Sequence, residues 1–119
     1  MTPQYPHLLP VFLIEAEHCL AELAVAVAKL ADNLDDEAAW RAASRAAHTL
    51  KGNAAMMALH DIHETAFTAE VRAQAGTARP QQHLAVELTR SLMLLRDQVD
   101  ERVTNVPAPT RDIPNVESA

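Results

Sequence analysis

The sequence predicts an all-α fold, an antiparallel four-helix bundle with a carboxy-terminal tail, on three observations. Alanine occupies 23 of the 119 positions, and alanine is the strongest helix former. Only 2 glycines and four aromatic residues are present, a balance that starves turns and strands. Apolar residues recur at steps of three and four along four separate segments, the period of helices that each bury one face. A chain of this length can bury roughly two thirds of its unfolded surface, so one core forms without disulfides or a metal. The expected organisation is one helical domain over residues 1–104, followed by a linker or disordered tail over 105–119.

The first helix is expected from about Pro10 to Leu34. Proline is acceptable in an opening turn, and Leu13, Ala16, Leu20, Leu23, Val27, Leu30 and Leu34 form one apolar seam. Asn33, Asp35 and Asp36 break the pattern, and either aspartate can cap a second helix spanning about Asp36 to Met57. On it Ala39, Ala43, Ala46, Leu50 and Met57 share an inner face. Arg41, Ser44, Arg45, His48, Lys51, Gly52 and Ala55 share the opposite one. A third helix begins near His60 and Asp61 with Ile62, Ala66, Ala69 and Ala73 inward, and Gly76 stands where a helix-ending C′ glycine is expected. Pro80 opens the fourth, whose seam is Leu84, Leu88, Leu92, Leu95, Val99 and Val103. Beyond Val103 the prolines 107, 109 and 114 and the loss of periodicity read as a linker or tail.

Composition also excludes functions. Sixteen acids against ten bases give a net charge of -6, and no cluster of Lys and Arg is dense enough to replace phosphate counterions, so nucleic acid is not an expected partner. The apolar runs around Leu8–Ile14 and Ala24–Ala28 fall short of the roughly 20 residues of a bilayer span, and no basic leader opens the chain. The lone Cys19, flanked by apolar residues, reads as a half-buried thiol in a reducing, cytoplasmic setting.

The stretch Arg45-Ala-Ala-His48-Thr-Leu-Lys51-Gly52-Asn-Ala-Ala55 carries the chemistry. Gly52 stands mid-helix, where it costs about 1 kcal/mol relative to alanine, in a chain that uses alanine freely. His48, Lys51 and Gly52 lie at i, i+3 and i+4 and share one face, so the missing side chain opens the approach to the imidazole for a bulky partner. No acid occurs from Ala38 to His60, and Arg41, Arg45 and Lys51 form a positive strip around His48 that suits an anion. A neutral imidazole is a competent nucleophile near pH 7, and phosphoryl transfer asks of the protein mainly alignment and charge neutralisation.

These residues resemble the histidine phosphotransfer (HPt) domain family, in the form found at the amino terminus of chemotaxis-type histidine kinases and their twitching-motility relatives. The likeness centres on Ala47 to Gly52, extends through Asn53 to Leu59 and Ile62-His63-Glu64 to Ala69-Glu70, and the helix pattern agrees from about Val11 to Val103. The resemblance implies that His48 is the phosphoacceptor, that Lys51 neutralises phosphoryl oxygens, and that Gly52 clears room for a partner's active site. It also implies that Glu70 orients the ring through its other nitrogen, as an acid orients the histidine of a catalytic triad. Arg41, Ser44, Arg45, Gly52 and Ala55 are then expected to meet the partners, a kinase's ATP-binding domain and a response-regulator receiver domain. Some kinase relatives carry a second histidine three residues before this acid; here Phe67 stands there. Asn53 also departs from the serine or glycine common after the glycine.

No glycine motif for ATP is present, so the chain is expected to be a carrier and not an enzyme, with no cofactor. The alternatives are a helical protein–protein adaptor that is never phosphorylated and a metal-binding bundle. For the latter, His60, His63 and Glu64 supply the only cluster, but they open a helix where polar residues face solvent, and nothing completes a tetrahedral set. Met57 is expected in the core, Trp40 is expected on the side of helix two as a packing anchor and not a cofactor contact, Met56 is assigned to neither core nor docking surface, and His7, His18 and His83 receive no role.

Overall fold

The four apolar stripes each fold as a helix in the computed structural model, which describes residues 6–104. After a 3₁₀ turn at Pro6–Leu8 come α1 (Leu9–Asp32), α2 (Glu37–Met56), α3 (His60–Ala78) and α4 (Gln82–Thr104), with no strand among the described residues. Each helix packs on the next in chain order and α4 closes against α1, the arrangement of an antiparallel four-helix bundle with short connections. The segment 105–119, read from the sequence as linker or tail, lies outside the described residues.

Local chemistry fixes the helix ends. Pro10 lies in the first turn of α1, where a missing N–H costs nothing. That helix stops at Asp32, so Leu34, expected in the seam, sits half-buried in the connection. Of the two aspartates, Asp36 is the cap of α2, accepting from the Ala39 N–H at 3.0 Å. At the other end of α2, the Ala58 N–H donates to the Ala55 carbonyl at 3.1 Å and the Leu59 N–H to the Ala54 carbonyl at 2.9 Å, the two bonds of a Schellman closure. Ala58 takes the left-handed conformation this closure requires, with φ 58°. A side chain there costs roughly 1–2 kcal/mol, and the buried Leu59 that follows anchors the corner.

The buried faces of α2 and α3 are rich in small residues. Ala39, Ala43, Ala46, Ala47 and Ala54 are buried on α2, and Ala66, Ala69, Ala73 and Gly76 on α3. At one end of the contact between the two helices, Trp40 of α2 lies directly over Gly76 of α3. Gly76 is therefore not the C′ glycine expected from the sequence. It lies inside α3, and the helix is capped at Arg79. Trp40, fully buried, donates its indole N–H to the Leu34 carbonyl at 2.7 Å, and a Cβ on Gly76 would collide with its six-membered ring.

Three further expectations are adjusted. Helix α4 starts at Gln82, two residues beyond Pro80, and Val103 near its end is 49% exposed, so the seam closes at Val99. Cys19 is buried, not half-buried, and burial, followed by the charges of Glu22 and Glu15, pushes its thiol up to about 11. Met57 is in the core as expected, Trp40 anchors packing from a fully buried and not a lateral position, and Met56 is exposed. At the end of the bundle an Arg102 guanidinium donates to Asp61 at 2.7 Å and ties α4 to the start of α3, and Arg72 of α3 pairs with Glu87 of α4.

The two glycines should respond to substitution with opposite signs. Gly76→Ala forces an atom into the Trp40 ring and should lower the unfolding free energy by about 1–3 kcal/mol. Gly52 has nothing within 4 Å of a built Cβ, so Gly52→Ala should raise it by up to about 1 kcal/mol. Urea denaturation followed by circular dichroism reads both; a stabilised Gly76→Ala protein would contradict the packing account.

Candidate functional site

The site stands on the faces of α2 and α3 that rise beside the alanine seam. His48 sits on α2 with its side chain 67% exposed, while Glu70 on α3 is almost fully covered. Their contact crosses the seam: His48 Nδ1 lies 2.8 Å from Glu70 Oε2. The second carboxylate oxygen, Oε1, lies 2.7 Å from Lys51 Nζ. One acid on α3 thus holds two basic side chains placed one turn apart on α2.

Burial alone would oppose ionisation of Glu70. The hydrogen bonds from Lys51 and His48, with their charges, outweigh it and hold the carboxyl below its ordinary 4.5. An ionised carboxylate only accepts, so Nδ1 carries the proton in this contact. In the neutral ring the lone pair is then on Nε2, at the opposite edge of an exposed imidazole.

The remaining residues singled out in the sequence fall around this pair. Gly52 is exposed with open space above it, and Ala55 is exposed one turn further on. Arg41, Ser44 and Arg45 line a shallow cleft with Gln74 and Thr77 of α3, in the turns that lead up to His48. The positive strip is weaker than the sequence implies. Arg41 lies 3.3 Å from Glu37 and Lys51 is bound to Glu70. Of the three cations, Arg45 alone lacks a carboxylate partner among the described residues.

Two features escaped the sequence reading. One is the Lys51–Glu70 ion pair; its signal is the placement of a basic residue three positions after His48, which brings both within reach of the same acid. The other is the contact made by Phe67, noted in the sequence only as the replacement of a histidine: one turn before Glu70, its ring centroid lies 5.4 Å from Lys51 Nζ. Its half-exposed position in a chain so poor in aromatics is a visible oddity. His60, His63 and Glu64 gather no further ligands: among the described residues no group of three or more His, Cys, Asp or Glu is arranged to hold a metal ion.

A protonated Nδ1 on a buried acid, a free ring edge and a glycine-cleared face agree with a comparison against known families, in which the Hpt domain model matches residues 7–105. The chain belongs to the Hpt domain family. Comparisons with curated proteins and with solved structures returned no match. Hpt domains are phosphocarrier modules of two-component phosphorelays and not catalysts, and they interact with kinases and receiver domains. Among the described residues of this Hpt domain, no helix is long and apolar enough to cross a membrane.

The pairing of Glu70 has a sign that acid can test. Its carboxyl is held below the ordinary 4.5 in the folded state, so the stabilisation is present above that value and is lost as pH falls through the depressed one. Glu70→Gln should cost about 1–3 kcal/mol at pH 7, and its deficit against the unmodified protein should shrink in strongly acidic solution. Denaturant titrations at several pH values measure this; a deficit that does not vary with pH would mean that the carboxylate charge contributes nothing.

Proposed function

We propose that His48 is the phosphoacceptor of this Hpt domain and that it passes its phosphoryl group to an aspartate of a receiver domain. The single observation that supports the reading best is the 2.8 Å contact from His48 Nδ1 to Glu70 Oε2 behind a ring that is otherwise open. The Nε2 lone pair attacks phosphorus, and the bond to the leaving group breaks. That leaving group is ADP on a kinase's ATP-binding domain, or the carboxylate of a phosphoaspartate. Positive charge builds on the ring as the N–P bond forms, and the Glu70 carboxylate stabilises it while the Nδ1 proton stays in place. Onward transfer reverses the roles: an aspartate oxygen attacks, the N–P bond breaks, and the lone pair returns to Nε2.

The other site residues then have distinct tasks. Lys51, one turn from the ring, contributes its ammonium to the phosphoryl oxygens. Gly52 and Ala55 leave the approach to Nε2 clear for a partner's active site, and Arg41, Ser44 and Arg45 offer a polar, partly cationic rim to its acidic groups. Because the phosphoryl group originates in ATP, the reading places the reaction in the cytoplasm.

Incubation with an active histidine kinase and labelled ATP should give an acid-labile, alkali-stable phosphate that His48→Gln abolishes. An equally labelled His48→Gln protein, or no label from a competent donor, overturns the assignment and favours the unphosphorylated adaptor. Gly52→Gln should keep the helical circular dichroism signal while slowing transfer to a receiver domain by at least about tenfold, the equivalent of 1.4 kcal/mol in the barrier. Normal transfer by that variant would remove the clearance role of Gly52.

A further inference from the structure

We infer that Phe67 is a positioning residue for phosphotransfer: its ring pins the Lys51 ammonium onto Glu70, one turn from the reactive edge of His48. The inference rests on the role proposed above for His48. Lys51 Nζ has two partners, the Glu70 Oε1 atom at 2.7 Å and the face of Phe67, with the centroid at 5.4 Å. Both partners belong to α3 and stand one turn apart, and both reach the same ammonium. The result is a lysine whose side chain is only 23% exposed although it stands on the outer face of α2.

The exposure of Phe67 sets it apart from the core aromatics. The other described aromatics, Phe12 and Trp40, are buried in the core, whereas Phe67 is 49% exposed. Its contribution is electrostatic and local. The negative face of the ring attracts the cation, and the ring's bulk keeps water from one side of it, which strengthens the bond to the carboxylate. A long flexible lysine otherwise spreads over many rotamers, of which few keep its charge beside the ring. With Phe67 in place the cation is held on the same carboxylate as the imidazole, one helical turn from the ring that would carry the phosphoryl group.

The chain holds only two lysines, Lys29 and Lys51, so the pin can be read directly. With limiting N-hydroxysuccinimidyl acetate and peptide mass spectrometry, the acylation of Lys51 is measured relative to the exposed Lys29 on α1. Phe67→Leu should raise that ratio about two- to fivefold, the span expected for an exposed cation–π contact, and Phe67→Tyr should leave it unchanged. Phosphorylation of His48 by phosphoramidate, a small donor that needs no partner surface, should slow by a similar factor in Phe67→Leu and stay normal in Phe67→Tyr. An unchanged Lys51 ratio in Phe67→Leu overturns the pin, and a raised ratio with an unchanged phosphorylation rate overturns its role in transfer. Failure of the unmodified protein to accept phosphate at His48 from either phosphoramidate or a kinase would instead overturn the phosphoacceptor reading, while the acylation ratio would still report on the pin.

Discussion

Everything at the site depends on how closely α2 and α3 approach. A carboxylate on one helix can meet an imidazole and an ammonium on the next only where the backbones run close, and here both buried faces are rich in alanine while Gly76 makes room for the Trp40 ring. The same seam that makes a tight hydrophobic contact therefore carries a polar bridge at its edge. A leucine in place of Ala69, fully buried two turns before Gly76 on α3, would push the helices apart and leave Glu70 buried without its partners, an expensive state for a charge.

Once the approach is fixed, Glu70 acts as the hub. It is nearly covered by protein, yet it remains ionised because two bases on α2 share its two oxygens. The division of labour between those bases is unequal in exposure: His48 stands largely in solvent and Lys51 is tucked against α3. In the proposed reading the acid orients the first and holds the charge of the second in reserve. If His48 is the phosphoacceptor proposed above, this arrangement supplies a nucleophile without any cavity, which suits a molecule whose reaction partners bring the remaining machinery with them.

Much of this was legible in the residues, and the failures have physical causes. Helix number, the inner faces and the common side of His48, Lys51 and Gly52 all follow from a period of 3.6 residues, which needs only local information. The link from His48 to Glu70 was available through the family resemblance, since no spacing rule connects residues 22 positions apart. Gly76 was misread as a cap because a glycine near the end of a periodic run commonly is one. Its position continues the inner series Ala66, Ala69 and Ala73, and that register was the better signal. The positive strip was overstated for a related reason: charges counted along one helix omit the carboxylates that a neighbouring helix brings to them.

The corner between α2 and α3 has a consequence beyond closing a helix. With only Met57, Ala58 and Leu59 between the two helices, and with both Schellman bonds made, the connection acts as a ruler. It sets the phase of α3 against α2, because each residue added to a helix turns it by about 100° and advances it by about 1.5 Å. Glu70 lies three helical turns up from this corner, so its aim at His48 is decided at Ala58. The left-handed alanine is thus the timing mark of the bundle, a small backbone distortion at one end that keeps two distant side chains in step.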